Sequence, residues 1–100
     1  MLHTVNKSPF ERCTLKSCIS MAKSGSSILL IEDGVLAATQ NTSVADDISK
    51  AMEGITFYVL GPDFNARGLN EDKLINGIKT VDYEGFVELV AQHEVVQSWL

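Results

Sequence analysis

The stretch Ser26-Ser27-Ile28-Leu29-Leu30-Ile31-Glu32-Asp33-Gly34-Val35-Leu36-Ala37-Ala38 decides the fold. Four large aliphatics follow one another without alternation, opened by a Gly-Ser turn and closed by Asp-Gly. That pattern reads as a strand buried on both faces, the kind found in the middle of a parallel sheet. Val35 to Ala38 then suit a short helix, and the Asp33 side chain is placed to cap its first amides. A strand therefore runs into a helix with a carboxylate at the strand's carboxyl end, the edge of an open α/β sheet where ligands and partners bind.

Upstream, Leu2 to Val5 has strand composition. Ser8-Pro9-Phe10-Glu11 then combines a capping hydroxyl, a proline at the first helical position and a glutamate spaced to reach back to the cap. From this start Phe10, Cys13 or Thr14, Ser17 and Met21 fall on one helical stripe. Leu15, Cys18, Ile19 and Ala22 fall on a neighbouring, more apolar one. The helix runs out at Lys23-Ser24-Gly25-Ser26.

Downstream, Gln40-Asn41-Thr42-Ser43 is a polar loop ending in a capping residue, followed by Val44, Ile48, Ala51 and Met52 at helical spacing with Asp46 and Asp47 in the first turn. Gly54 stops this helix. Ile55 to Leu60 is a β-branched and aromatic strand, and Gly61-Pro62-Asp63 again puts an acid at a strand end. Phe64 to Arg67 make a helical turn or two, and Asn70 to Gly77 is loop with a further turn. Ile78 to Val81 fits a fourth strand, Asp82 caps a helix carrying Phe86, Val87, Leu89 and Val90, and His93 to Leu100 fits a last strand. Strands alternating with helices over so short a chain predict one α/β domain over residues 1–100: a three-layer sandwich with a mostly parallel sheet and helices on both faces.

Bulk composition narrows the function. One hundred residues, 45% hydrophobic and 21% charged, specify a globular chain near the low end for standing alone, so an oligomer is expected. The formal charge is −5, with no basic stripe, which disfavours direct binding to nucleic acid or an anionic membrane. No secretory h-region and no apolar run near ~18 residues is present, so a cytoplasmic location with cysteines as free thiols is expected.

Cys18 is the sharpest chemical candidate, with Lys16 and Lys23 close in sequence. It lies too deep in its helix for the N-terminal dipole to acidify it, and a buried, inert cysteine is the competing reading. Cys13 is flanked only by Arg12. His3, Cys13, Cys18 and His93 lack metal-ligand spacing, and no Gly-rich phosphate cradle exists, so neither metal nor cofactor is expected. Asp33 as a phosphoacceptor lacks an acid cluster. His3 reads as a hydrogen-bonded structural residue, His93 as a partner for a helix end, and Arg67 and Tyr83 as surface and packing residues. Trp99 reads as an interface anchor or as a side chain folded back on its own domain.

Several stretches, in order along the chain, resemble the DsrH/TusB family. These are Met1 to Phe10, Leu29 to Ala38, Tyr58-Val59-Leu60 with Ala66-Arg67-Gly68, Val81-Asp82-Tyr83-Glu84-Gly85-Phe86-Val87, and Trp99. The resemblance implies a DsrE-like fold. It also implies assembly with DsrE-like and DsrF-like (or TusD and TusC) subunits as a heterohexamer, a dimer of heterotrimers. Such a complex passes persulfide sulfur to a DsrC/TusE-like carrier, with the principal sulfur-carrying cysteine on the DsrE/TusD subunit. In the Dsr branch the implied role is oxidation of stored sulfur; in the Tus branch it is thiolation of the tRNA wobble uridine. Cys18 and the Ser-Pro-Phe-Glu-Arg start resemble the Dsr branch, making sulfur oxidation the first expectation and Cys18 a candidate secondary persulfide site. A purely structural or docking subunit is the alternative.

Overall fold

The computed structural model describes residues 1–10 and 14–99. Strands β1 (Leu2–Val5), β2 (Ser27–Leu30), β3 (Thr56–Leu60), β4 (Lys79–Val81) and β5 (Val96–Trp99) form one sheet in the order β4-β3-β2-β1-β5, every neighbouring pair parallel. The organising strand β2 lies at the centre with all four residues buried. Continuous apolar sequence goes with this position because both of its faces are covered.

Helices α1 (Thr14–Met21), α2 (Ala45–Ala51), α3 (Gly61–Ala66) and α4 (Tyr83–Gln92) make the crossovers. They divide unevenly. Val5, Ile28, Leu30, Phe57 and Val59 point to one face and pack with Leu15 and Cys18 of α1, Val35, Ile48 of α2 and Phe64 of α3. On the other face Leu2 and Leu29 meet Leu89, with Phe86, Tyr58 and Val81 around them. Among the described residues, α4 is the one helix that contributes to this second core.

Three local readings differ from the structure. The segment after β2 is a 3-10 helix over Glu32–Ala38 whose first residues receive no bond from the Asp33 side chain. The α2 N-terminus falls on Val44 without a side-chain cap, so Ser43 does not cap it. The third helix begins at Gly61, with Pro62 in its first turn, rather than at Phe64. By contrast Asp82 Oδ1 accepts from the Gly85 amide at 2.8 Å, the cap expected for α4. Ser8 Oγ accepts from Phe10 N at 3.2 Å; the Glu11 half of that capping motif, and Cys13, lie outside the described residues.

Candidate functional site

The carboxyl edge of the sheet is where β1, β2 and β3 run into their connections. Ile31 N donates to Val5 O at 3.0 Å, extending the β1–β2 ladder by one bond, and Glu32 then takes a positive φ of 50° to turn the chain. Gly34 packs so close to β1 that an added methyl group would overlap the Val5 carbonyl oxygen, so only glycine fits there.

Two acids at neighbouring strand ends divide the work expected of Asp33 alone. Asp63 Oδ2 accepts from the Glu32 amide at 2.7 Å, so the 3-10 helix after β2 is capped from α3. Arg67 Nε donates to Asp33 Oδ1 at 3.0 Å, and its Nη1 donates to the Asp63 carbonyl at 3.3 Å. This Asp33–Arg67–Asp63 tie joins the segments that leave β2 and β3. It pairs the exposed Asp33 carboxylate, through one oxygen, with a guanidinium. The second strand-end acid in Gly61-Pro62-Asp63 was the sequence signal for this arrangement.

Cys18 lies in the interior. Its side chain has no solvent exposure and packs in the larger core cluster, and burial pushes its thiol up to about 12. Sulfur exchange needs a thiolate that a second sulfur can approach in line, and burial at this position opposes both. Lys16 and Lys23 are exposed while Cys18 is not, so the nearby positive charge in the sequence does not reach the sulfur.

At the opposite end of β1, His3 is buried, and its Nδ1 accepts from Trp99 Nε1 at 3.1 Å with the rings 6.2 Å apart. An accepting Nδ1 means the neutral ring carries its proton on Nε2. Burial, aided by the N-terminal ammonium, lowers the His3 pKa and keeps it neutral. Trp99 therefore folds back on its own domain, half-buried against the core. Thr4 Oγ1 adds a bond to Ser98 Oγ at 3.2 Å, pinning β5 to β1 a second time. His93 Nδ1 donates to Leu89 O at 2.7 Å, occupying a terminal carbonyl of α4 as expected for a helix-end histidine.

Among the described residues no three His, Cys, Asp or Glu side chains are grouped to hold a metal ion, and no helix is long and apolar enough to cross a membrane.

The family model for DsrH-like proteins matches residues 7–96. The chain belongs to the DsrH-like family. It is 34% identical over 100 residues to Protein TusB of Pectobacterium parmentieri, covering 99% of this chain and 100% of the relative. It is also 34% identical over 99 residues to Protein TusB of Erwinia tasmaniensis, with the same coverage. The ychN protein of E. coli superimposes with a TM-score of 0.82 at 13% identity, over 98% of this chain and 97% of that one. A protein of unknown function, MTH1491 from Methanobacterium thermoautotrophicum, superimposes with a TM-score of 0.77 at 15% identity, over 97% and 96%. These likenesses show the fold, an α/β layered domain, as expected for this DsrH-like chain.

Proposed function

We propose that this DsrH-like chain is a TusB-type subunit of a sulfur-relay complex serving 2-thiolation of the tRNA wobble uridine. In that complex it shapes and completes the assembly and does not carry sulfur itself. The pathway rests on full-length similarity to proteins named TusB, which outweighs the lean toward sulfur oxidation drawn from Cys18 and the Ser-Pro-Phe-Glu-Arg start. The role rests on one observation: the Cys18 thiol is fully enclosed.

On this reading the reactive cysteine lies on a TusD-like sister chain, a TusC-like chain completes the heterotrimer, and a TusE-like carrier receives the sulfur. No metal or organic cofactor is needed, because a persulfide moves by thiolate attack on sulfur. Removing the gene and measuring 2-thiouridine in bulk tRNA by mass spectrometry tests the pathway. Loss of the modification, restored equally by the wild-type chain and by Cys18→Ala, is the expected result. Unchanged tRNA thiolation with impaired oxidation of stored sulfur returns the chain to the Dsr branch. A modification restored by the wild type but not by an assembled Cys18→Ala complex overturns the structural role.

A further inference from the structure

Five parallel strands at about 4.8 Å spacing span roughly 19 Å, whereas one helix with its side chains is about 10 Å wide. Among the described residues, α4 is the one helix packed against the face carrying Leu2 and Leu29. Its flanks are correspondingly open. Val96, registered beside Leu2, is 40% exposed on edge strand β5.

Helix α4 itself has two apolar sides. Leu89 and Phe86 face the sheet, while Tyr83, Val87 and Val90, within about 60° of one another at 100° per residue, point away from it and are 60%, 68% and 40% exposed. Glu84 and Glu88 border this outer stripe on one side only. That acidic side overlooks β3 and β4, because Gly85 and Glu88 share a cleft with Tyr58 and Val81. The other side, through Phe86 and Val90, is therefore turned toward the β5 side of the sheet, so the exposed apolar surface is bordered by carboxylates on one side only.

We infer that the outer face of α4 and the adjoining face of β5 form the surface on which a different chain docks through an apolar element flanked by lysine or arginine. Charge selects this occupant. In an antiparallel two-fold pairing of this stripe with a second copy, two Glu84 and two Glu88 carboxylates would border one seam on a chain that already carries −5, and in a parallel pairing each Glu row would face an apolar flank that offers it no counter-charge. A basic border on a different chain turns the same four-residue spacing into attraction. The inference rests on the relay reading in one respect: that reading supplies the partner, a sister subunit.

The test is co-expression with the TusC-like and TusD-like chains of the same organism, followed by size-exclusion chromatography with light scattering and affinity measurement at low and high salt. Val87→Glu, at a solvent-facing helix position, is expected to abolish assembly while its circular dichroism matches wild type. The Glu84→Lys/Glu88→Lys double variant is expected to weaken assembly at least tenfold and to lose the salt dependence. Met21→Glu, equally exposed on α1, is expected to assemble normally. Wild-type assembly left intact by Val87→Glu overturns this surface and leaves the relay reading standing. A wild-type chain that self-associates through the stripe overturns the hetero-partner. A wild-type chain that joins neither sister overturns the relay reading, and the inference with it.

Discussion

Replacing Cys18 separates a core residue from a sulfur carrier, and the structure supplies both magnitudes. The side chain has no solvent exposure, and Leu15, Ile28 and Leu30 belong to the same cluster. Cys18→Ala removes one buried heavy atom and leaves a small void, a loss of about 1–2 kcal/mol. Cys18→Ser instead buries a hydroxyl, at about 1–3 kcal/mol, relieved in part if it bonds the carbonyl one turn back in α1. For a domain of this size each kcal/mol lowers the melting temperature by about 4–8 °C. Sulfur transfer through an assembled complex is expected to be unchanged at a temperature where the variant is folded. Reactivity gives an independent measure. Moving a thiol from 9.0 to about 12 lowers its thiolate fraction at neutral pH roughly a thousand-fold, before enclosure is counted. In a Cys13→Ser background, Cys18 is expected to label with a thiol reagent at least a hundred-fold more slowly in the native protein than in denaturant. Labelling at the rate of an open thiol, or a stoichiometric persulfide on Cys18 in the complex, refutes the reasoning.

Three further outcomes follow from the geometry. Gly34→Ala drives a methyl into the Val5 carbonyl and is expected to destabilise the fold by about 1–3 kcal/mol in urea unfolding, although alanine is ordinarily the better helix former. Asp63→Ala orphans the Glu32 amide and is expected to cost about 1 kcal/mol, more than Arg67→Ala, whose ion pair with Asp33 is exposed to solvent and screened; equal costs would assign the main hold to the ion pair. His3 has a folded-state pKa below its ordinary 6.5, so the unfolded chain binds the proton more readily. The stability it contributes is present above about pH 6.5 and is lost as pH falls through the lower folded value. Unfolding at a series of pH values should show that decline, with Trp99 fluorescence changing alongside it, and His3→Gln should flatten it.

Periodicity revealed most of the layered architecture because parallel strands and their crossovers leave strong local marks. The unbroken Ile28–Ile31 run gave the central strand, and Asp82 gave the start of α4. The divergences arose where a partner distant in sequence wins over a neighbour. Asp33 is next to the amides it was expected to cap, but Asp63, 31 positions from Glu32 in sequence, reaches Glu32 N while Arg67 pairs with the Asp33 carboxylate. Trp99 and His3 stand 96 positions apart and become neighbours only when β5 pairs with β1. For Cys18 the apolar stripe containing Leu15 and Ile19 pointed to burial as the rival to a reactive thiol, and the structure gives the buried position. The nearby lysines in the sequence carried no information about depth, since long cationic side chains reach solvent from almost any helical face.

The uneven covering of the sheet bears on why this chain works as a subunit. Its larger core packs α1, α2 and α3 on one face, so the central strand and the cysteine within that core are secured by the chain itself. The other face holds a small cluster around Leu89 beneath one helix. A monomer selected to stand alone gains little from Tyr83, Val87 and Val90 aligned toward water, because each contributes stabilisation only when its apolar surface is removed from solvent. At about 25 cal/mol per Å², covering these three side chains and Val96 yields several kcal/mol, comparable with the net stability of a whole small domain. Association through that face would therefore raise the stability of the fold as well as join it to a partner. The thermal midpoint of the wild-type chain should rise when the sister subunits are added in excess, and Val87→Glu should remove that rise while leaving the midpoint of the isolated chain nearly unchanged.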